Sequence, residues 1–291
     1  MGKRLEPAVT VVLVHRNQPD RCAQTVAAFR SQGVPVRFVI VDNGSEPDGL
    51  GRLRSAVPDA VYLEQGANTG FGPGVNAGWR HWLADPEGGE WSAVAPHDAL
   101  PEPGCLRALL DAAAERPKAG LASAEFGEPG KPVVDRYLGG VLGPSERRPG
   151  WERAGYPHGT LFVARRACLD DIGLFDERYF AYCEEADLGV RARRAGWEVG
   201  VVWGAVVDNP YVSNRAPAID YLQLRNSLLL VREHFGRYAV TVRTLMALYD
   251  TARGLVWPRR RGMFFSFTAR RHALADFLRG RYGAPPEHLL G

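Results

Sequence analysis

The stretch VTVVLVHRNQPDRCAQTVAAFRSQGVPVRFVIVDNGS, residues 9–45, decides the fold class, because it predicts a strand, a helix and a second strand in succession. Val9–His15 is an almost continuous apolar run, as expected for a parallel strand that is buried on both faces. Pro19–Gln32 predicts a helix that stops at Gly33, and Val36–Val41 predicts the next strand. Since the same alternation continues along the first half of the chain, we expect an α/β domain.

The pattern changes in the second half of the chain. Residues 68–78 are rich in glycine and are expected to lead into a helix through Trp79–Leu83, whereas residues 127–150 predict a long surface excursion. From Pro217 onward the apolar residues recur at helical spacing. We therefore expect one α/β domain over residues 1–215 and a helical C-terminal extension over residues 216–291.

The composition excludes several classes of protein. The 291 residues are 45% hydrophobic and 24% charged, which excludes wholesale disorder. Mean hydropathy is −0.22, and no apolar run approaches the roughly 20 residues of a membrane-spanning helix. With no signal-peptide pattern at the N-terminus, we expect a cytoplasmic protein with reduced cysteines. A net charge of +3 does not indicate nucleic acid as a partner.

Polar side chains follow successive strands of the predicted sheet. Because ligands of open α/β sheets bind beyond the carboxyl ends of the strands, these side chains are candidates for one site. The alternative is that the segment DNGS, residues 42–45, is only a turn. Neither a P-loop nor a GxGxxG motif is present, which disfavours a dehydrogenase. The candidates are His15, Asn17, Asp42, Asn43, Asn68, Gly70, Phe71, Asn76 and Asp98.

Six segments in a fixed order carry a resemblance to a known family. They are VTVVLVHRN, VIVDNGS, NTGFGPGVNAG, VAPHDALPEPGCL, GLFDERYFAYCEEADLGVRARRAGW and LQLRNSLLL, which together span roughly residues 8–230. The chain resembles family-2 glycosyltransferases of the rhamnosyltransferase-like branch. The resemblance implies a GT-A fold, with a mostly parallel mixed sheet flanked by helices, in the catalytic domain over residues 1–215.

The resemblance also implies an activity, namely inverting transfer of a sugar from a nucleoside-diphosphate donor to an acceptor hydroxyl. The expected donor is a dTDP-deoxysugar such as dTDP-rhamnose, with UDP-sugars as the next choice. The expected acceptors are glycans, lipid-linked intermediates or secondary metabolites. The alternatives are a non-catalytic or metal-independent nucleotide-sugar-binding relative and, less favoured, a nucleotidyltransferase.

Within the resemblance, individual residues receive roles as substrate-binding groups. His15 or Asn17 would line the base pocket, and Asp42 would hydrogen-bond the base. Asn76 would lie near the ribose or the diphosphate. The arginine Arg225 would lie near the diphosphate, since guanidinium suits phosphate, or would be a surface residue on an amphipathic helix. His158 would touch the donor sugar or the acceptor, or would be structural.

The resemblance places a divalent metal, Mg²⁺ or Mn²⁺, at Asp98 and at Asp208. The chain departs from the family here in two ways. Pro96 replaces a polar residue two positions before Asp98, and proline has no side-chain donor or acceptor. Asp208 stands where relatives carry a histidine. Because of these two departures, a site that works without a metal remains an alternative.

The resemblance also places the general base in an acidic doublet after the sequence FDE. It implies that Glu185 is the base and that Glu184 is a neighbouring substrate-binding residue. Asp187 is expected to cap the following helix. The alternative is that the doublet is a solvated acidic helix start.

The C-terminal tail combines aromatic residues with arginines, for example in Trp257–Arg261. Such a tail could contact an anionic membrane at its periphery, or form a packed hairpin or a homodimer interface. Peripheral membrane contact would fit a lipid-linked acceptor.

Overall fold

The computed structural model describes residues 8–209 and 216–290. The strands there are β1 (Val9–His15), β2 (Val36–Asp42), β3 (Val61–Glu64), β4 (Trp91–Pro96), β5 (Leu100–Pro101), β6 (Ala119–Glu125), β7 (Lys131–Asp135), β8 (Gly139–Gly143), β9 (Gly150–Arg153), β10 (Phe162–Arg165) and β11 (Glu198–Asp208). The helices there are α1 (Pro19–Arg30), α2 (Pro47–Ala56), α3 (Phe71–Ala84), α4 (Cys105–Ala114), α5 (Arg166–Ile172), α6 (Glu184–Arg194), α7 (Ala216–Val256), α8 (Phe267–Leu278) and α9 (Glu287–Leu290).

One mixed sheet runs through the described part of the chain in the order β3-β2-β1-β4-β10-β6-β11-β5, and β9 pairs with β11. The strands β1, β2, β3 and β4 pair in parallel. The strand β10 is antiparallel to both of its neighbours, β4 and β6. The expected mixed sheet flanked by helices, followed by a helical C-terminal region, is confirmed.

The apolar run of β1 is buried on both faces of the sheet. Val11 and Leu13 belong to the core under α1 and α4, whereas Val12 and Val14 belong to the core under α3. Since successive side chains of a strand point to opposite faces, both sets must be apolar when helices cover both sides. This is why the run predicted a parallel central strand.

Most of the glycine-rich segment over residues 68–78 belongs to α3 itself, because the helix begins at Phe71. A Cβ at Gly74 would lie 3.1 Å from Cγ1 of Val14, and a Cβ at Gly78 would overlap with Val12. These glycines let α3 lie directly on β1. The prediction that the helix occupies Trp79–Leu83 was therefore wrong about where it starts.

Residues 127–150, which were expected to form a long surface excursion, contain regular structure. They contain the antiparallel hairpin of β7 and β8, with Lys131 opposite Gly143 and Asp135 opposite Gly139. The short strands and high glycine content hide the alternating pattern that would identify a hairpin in the sequence.

The C-terminal region is a helical hairpin packed on the sheet domain. Gly236, with φ of 80°, interrupts α7. Arg243 of the second half donates to Oγ of Ser227 in the first half (3.0 Å), so the two halves run antiparallel. Their apolar faces meet α8 and pack against Phe180 of the sheet domain. Within residues 8–209 and 216–290, no helix has the length and apolar character needed to cross a bilayer.

The strand order creates a crevice. The chain passes from β1 to β2 and β3 on one side, and then returns to place β4 on the other side of β1. Such a reversal point is where ligands of open α/β sheets bind. The carboxyl ends of β1 and β4 therefore frame the candidate site.

Candidate functional site

A cavity of about 790 Å³ lies at this edge of the sheet. The ends of β1 and β4, the start of α3, the start of α6 and the start of α7 contribute to its wall. Most of the residues selected from the sequence line it. They are His15, Asn17, Asn43, Asn68, Gly70, Phe71, Asp98, His158, Glu184, Glu185 and Asp208.

The end of β1 is held by a buried histidine. The backbone N–H of Gln18 donates to Nε2 of His15 (3.3 Å), so the proton of the neutral ring is on Nδ1, which donates to Oδ1 of Asp42 (3.2 Å). Burial lowers the pKa of His15 despite this carboxylate. Asp42 also accepts from the backbone N–H of Ser45 and lines a second cavity, of about 530 Å³, beside α2. Asp42 is thus next to the main cavity rather than in its wall.

Asn43 holds the loop in front of α3. Its amide nitrogen donates to Oδ1 of Asn68 (3.1 Å) and to the carbonyl of Gly70 (2.9 Å), and its Oδ1 accepts from Thr69. A Cβ at Gly44 would lie 2.8 Å from the backbone of Ala67. The segment DNGS therefore does more than turn the chain, because it fixes a second wall of the cavity.

Asn76 does not lie in the cavity wall, contrary to expectation. Its side chain is buried, donates to the carbonyl of Phe175 (2.9 Å) and to Glu177 (3.1 Å), and accepts from the N–H of Phe175 (3.0 Å). Because these bonds use the amide fully, Asn76 joins α3 to the segment before α6 and reaches no ligand here.

The structure also contradicts both expectations for Arg225, a position near the diphosphate and a position on the surface. Its guanidinium is fully buried and donates to Oη of Tyr221 (3.1 Å), to Oδ1 of Asn226 (3.0 Å) and to the carbonyl of Gly283 (2.8 Å). It is neither in the cavity wall nor on the surface. A one-dimensional pattern cannot distinguish an arginine that stabilises helix packing from one that faces a phosphate.

The acidic doublet opens α6 and lines the cavity with both side chains. Glu184 is 1% exposed, and its Oε2 has no hydrogen-bond partner among the described residues. Burial, and then the charge of Glu185, raise the pKa of Glu184 well above its usual range. Burial raises the pKa of Glu185 to about 7. Burial therefore favours the neutral form of Glu184, and Glu185 is the carboxyl whose pKa lies near neutral pH.

Two small segments shape the space around Glu185. A Cβ on Gly159 would collide with Oε1 of Glu185, so glycine is required for the carboxyl to lie against this backbone. Next to it, His158 stacks on Phe126 with ring centres 3.5 Å apart. Nδ1 of His158 accepts from Thr160 (2.9 Å to Oγ1), and burial lowers the pKa of His158 to about 4. His158 is therefore a neutral ring in the cavity wall.

The segment before the doublet is strained. Phe180, Tyr182 and Cys183 all have positive φ, between 63° and 75°. Such backbone costs about 1–3 kcal/mol per non-glycine residue and persists only where its surroundings enforce it. The enforcing side chain is Asn226 of α7, which is fully buried. Its amide nitrogen lies 2.7–2.8 Å from the carbonyl oxygens of Tyr179, Ala181 and Tyr182.

Sequence reasoning missed Asn226, although it stands beside the selected Arg225. The only signal for it was a run of aromatic residues ahead of the acidic doublet, which needs an external support to turn sharply. That support comes from a helix about 40 residues later in the chain, and no local pattern reports it.

Asp187 does not cap α6. The residue at the N-cap position is Cys183, and no side-chain cap is present. Asp187 instead accepts from Nε of Arg191 (2.8 Å) and from Nε2 of His234 (2.7 Å) on α7. Although burial alone would raise it, these two partners hold the pKa of Asp187 below its usual value. Asp187 thus ties α6 to the C-terminal helices.

The two candidate metal ligands lie on one side of the cavity. The pairing of β5 with β11 puts Asp208 opposite Leu100, close in sequence to Asp98. Asp98 is buried and accepts a long hydrogen bond from Asn209 (3.5 Å). Among the described residues, no group of three or more His, Cys, Asp or Glu side chains could hold a metal. Two carboxylates still fit Mg²⁺, which usually keeps several waters and binds substrate phosphates.

His97 is a further residue that the sequence did not select. Its Nδ1 donates to the carbonyl of Val14 (3.1 Å), so Nε2 carries the lone pair. Nε2 is buried without a partner in the described part of the chain, and the residue lines the cavity beside Asp98. Burial lowers the pKa of His97. The ring therefore offers an acceptor to a ligand hydroxyl or N–H.

Comparison with known proteins finds a matching family model and similar chains. The model of the family described as glycosyl transferase family 2 matches residues 10–173. N-acetylglucosaminyl-diphospho-decaprenol L-rhamnosyltransferases from two strains of Mycobacterium tuberculosis are 32% identical over 192 residues, which is 56% of this chain and 62% of the relatives. The match thus spans less than two thirds of the length of these relatives.

Solved structures share the fold at low identity. A mannosyltransferase from Pyrobaculum calidifontis in complex with GDP-Man and Mn²⁺ has a TM-score of 0.62 at 15% identity, over 94% of this chain and 88% of that one. GalNAc-T7 with UDP, GalNAc and Mn²⁺ has a TM-score of 0.66 at 13% identity, over 98% of this chain and 59% of that one. These likenesses establish the fold.

Proposed function

Since this chain belongs to glycosyl transferase family 2 and is therefore a glycosyltransferase, we propose that it transfers a hexosyl group with inversion from a nucleoside diphosphate to an acceptor hydroxyl. The observation that carries the proposal is the carboxyl of Glu185. It lies in the cavity wall against Gly159, and its pKa of about 7 suits a general base near neutral pH.

In the proposed reaction, Glu185 takes the proton of the acceptor hydroxyl. The acceptor oxygen forms a bond to the anomeric carbon from the face opposite the diphosphate. The bond from that carbon to the diphosphate oxygen breaks, and its electron pair leaves with the nucleoside diphosphate. The raised pKa of Glu184 favours its neutral form, which adds no second negative charge beside Glu185.

The nucleoside of the donor is proposed to lie at the ends of β1 and β2. The wall there contains His15 and Asn17, together with the loop that Asn43 holds. The printed names of the curated relatives describe L-rhamnosyl transfer. This supports a deoxyhexose donor such as dTDP-rhamnose, and a UDP-sugar is the second choice.

Asp98 and Asp208 are proposed to hold a divalent cation, Mg²⁺ or Mn²⁺. Such a cation would offset the negative charge that develops on the leaving diphosphate. The fold neighbours named above were solved with Mn²⁺. Asp98→Asn should weaken both Mn²⁺ binding and donor binding, as measured by calorimetry. If donor affinity is unchanged by this substitution and by EDTA, the site does not depend on a metal.

Pro96 favours that metal-independent alternative, because this position supplies no side-chain ligand. Turnover with and without EDTA distinguishes a metal-assisted site from a metal-independent one. Full turnover in EDTA would replace the metal-assisted proposal with the metal-independent one. Donor binding without turnover on any acceptor would instead indicate a non-catalytic relative.

The acceptor is proposed to be lipid-linked, since the curated relatives are named for a diphospho-decaprenol substrate. The proposal is tested with a panel of dTDP-, UDP- and GDP-sugars, a lipid-linked acceptor and a short soluble analogue. Release of nucleoside diphosphate gives the rate, and the anomeric coupling constant in the product gives the stereochemistry. Retention of configuration, or no turnover with any donor, would contradict it.

A further inference from the structure

The second half of α7 and the turn after it concentrate positive charge. Residues 237–271 contain eight arginines and one aspartate, Asp250, which gives this stretch a net charge of +7 against +3 for the whole chain. The rest of the chain is therefore acidic overall. We call residues 237–271 the arginine-rich segment.

The same segment exposes an apolar stripe along one side of α7. Its large apolar side chains recur at spacings of three, four and seven residues, which places them on one face of a helix. Their exposure runs from 36% at Met246 to 69% at Tyr238. The members are Tyr238, Leu245, Met246, Leu248, Tyr249, Leu255 and Val256.

The stripe continues into a turn that joins α7 to α8. Trp257 is 54% exposed and Met263 is 89% exposed. Between them stand three consecutive arginines, of which Arg260 lies over the Trp257 ring at 5.9 Å. Tryptophan and arginine side by side at the end of an apolar helix face are typical of segments that lie in a membrane interface.

This turn is fastened to the beginning of α7, the helix that contributes to the cavity wall. The backbone N–H of Ser266, just after the turn, donates to Asp220 at the start of α7 (2.8 Å), and Arg270 donates to the same carboxylate (3.0 Å). Asp220 lies between Ala218 and Leu222, both of which line the cavity. The exposed apolar and basic surface is therefore attached to the same part of α7 that lines the cavity.

We propose that the arginine-rich segment lies on an anionic lipid bilayer and presents the cavity to an acceptor held in that bilayer. The inference rests on the proposed transfer to a lipid-linked acceptor. A second copy of this chain is a poor occupant, because a two-fold interface would place one set of arginines against the other. An anionic lipid surface instead attracts each arginine, while the apolar stripe enters the acyl boundary.

The test is cosedimentation with vesicles of phosphatidylglycerol and phosphatidylcholine in equal parts, compared with pure phosphatidylcholine. We expect binding to the anionic vesicles at low salt and release at high salt. The double variant R259S/R260S should bind about 30-fold more weakly, since each arginine near an anionic surface contributes about 1 kcal/mol. W257S/M263S should also lose binding through its apolar contact.

The matched control is R148S/R153S, which removes the same charge from exposed arginines on the sheet domain. It should bind vesicles as the wild type does. Equal weakening by the control, equal binding to both vesicle types, or no binding at low salt would overturn the proposal. Binding to polyglutamate without binding to vesicles would also overturn it and indicate an acidic protein partner.

Turnover of the soluble acceptor analogue, measured without vesicles, keeps the two proposals separate. It should be unchanged in R259S/R260S, whereas turnover of the acceptor in anionic vesicles should fall. If wild-type turnover is absent but vesicle binding follows the expected pattern, the proposed glycosyl transfer is wrong and the proposed membrane contact of the arginine-rich segment is supported. If turnover of the soluble analogue is normal and vesicle binding is absent, only the proposed membrane contact is wrong.

Discussion

Two adjacent carboxyls with different surroundings are the main feature at the scale of single residues. Glu184 is almost fully enclosed and Glu185 is half-buried against Gly159, so burial affects them unequally. Two like charges in one cavity cannot both ionise without a large penalty, and the more buried group therefore keeps its proton. Glu184 and Glu185 are chemically identical, and the fold alone makes their pKa values differ.

Glu185→Gln should abolish most of the turnover. The amide keeps the shape of the side chain but cannot accept the proton, so the rate should fall by about 10²–10⁴-fold with donor affinity nearly intact. In the wild type the rate should rise with pH through about 7, as Glu185 ionises. Steady-state kinetics over a pH series check both statements. Full activity in E185Q would show that another group is the base.

Glu184→Gln tests the buried carboxyl through protein stability. Its folded pKa lies above the unfolded value of 4.5, so the stability that the neutral form contributes is complete below that value and is lost as pH rises through the folded pKa. As pH rises above the unfolded value, the wild type should therefore lose stability relative to E184Q. Urea unfolding over a pH series measures the difference in free energy of unfolding. A difference that is independent of pH would contradict the assignment.

At the scale of elements, helix α7 supports the strained segment that leads into helix α6. The start of α6 carries both glutamates, but its approach through Phe180, Tyr182 and Cys183 is strained and is held by Asn226 of α7. The backbone N–H of Gly72 in α3 also donates a hydrogen bond to the carbonyl of Phe180 (3.2 Å). The position of Glu185 is therefore set by α3 and α7 as well as by its own helix.

Asn226→Ala should remove that support. The freed carbonyls should cost about 1–3 kcal/mol each in stability if they stay buried without partners. With Glu185 as the proposed base, its displacement should lower kcat by about 100-fold, while KM for the donor stays close to that of the wild type. The apparent pKa of the pH–rate profile should also move, which a purely structural role would not cause.

The neighbouring substitution Ser227→Ala is the matched control for Asn226→Ala. Ser227 donates to the carbonyl of Leu224 within its own helix (3.0 Å) and accepts from Arg243. It should lose about 1 kcal/mol of stability and keep its kcat. If N226A keeps the wild-type kcat at a temperature where it is folded, Asn226 does not position the base.

At the scale of the whole molecule, the C-terminal helices are part of the site rather than an appendage. They contribute Ala218 and Leu222 to the cavity and Asn226 to the support of the acidic segment. The bond from His234 to Asp187 fastens α7 to α6 at a second point. A boundary at residues 215 and 216 therefore divides the chain by secondary structure, and the cavity extends across it.

Asp187→Asn should loosen this attachment. Asparagine keeps one acceptor oxygen and no charge, so either Nε of Arg191 or Nε2 of His234 loses its partner in a buried region. This should cost about 3 kcal/mol of stability. Asp250→Asn, on a half-exposed pair with Arg253, is the control and should cost about 0.5 kcal/mol or less. Thermal unfolding compares the two variants. Equal small losses would show that Asp187 does not fasten the helices.

The wild-type advantage over D187N should also depend on pH with a definite sign. Since the folded pKa of Asp187 is lowered, its contribution is present above the unfolded value of 3.8 and is lost as pH falls through the folded pKa. The two proteins should therefore converge in stability in acid.

The sequence by itself determined the fold class, because buried parallel strands need apolar side chains on both faces and β1 and β2 show such runs directly. It also determined most of the cavity wall, since polar residues at the ends of neighbouring parallel strands must meet at one edge. Only the tertiary structure decided the roles of Asn76, Arg225, Asp187 and Asn226. Their partners lie far away in the chain, and whether a polar side chain faces a ligand or a buried carbonyl depends on how separate elements pack, which local spacing does not record.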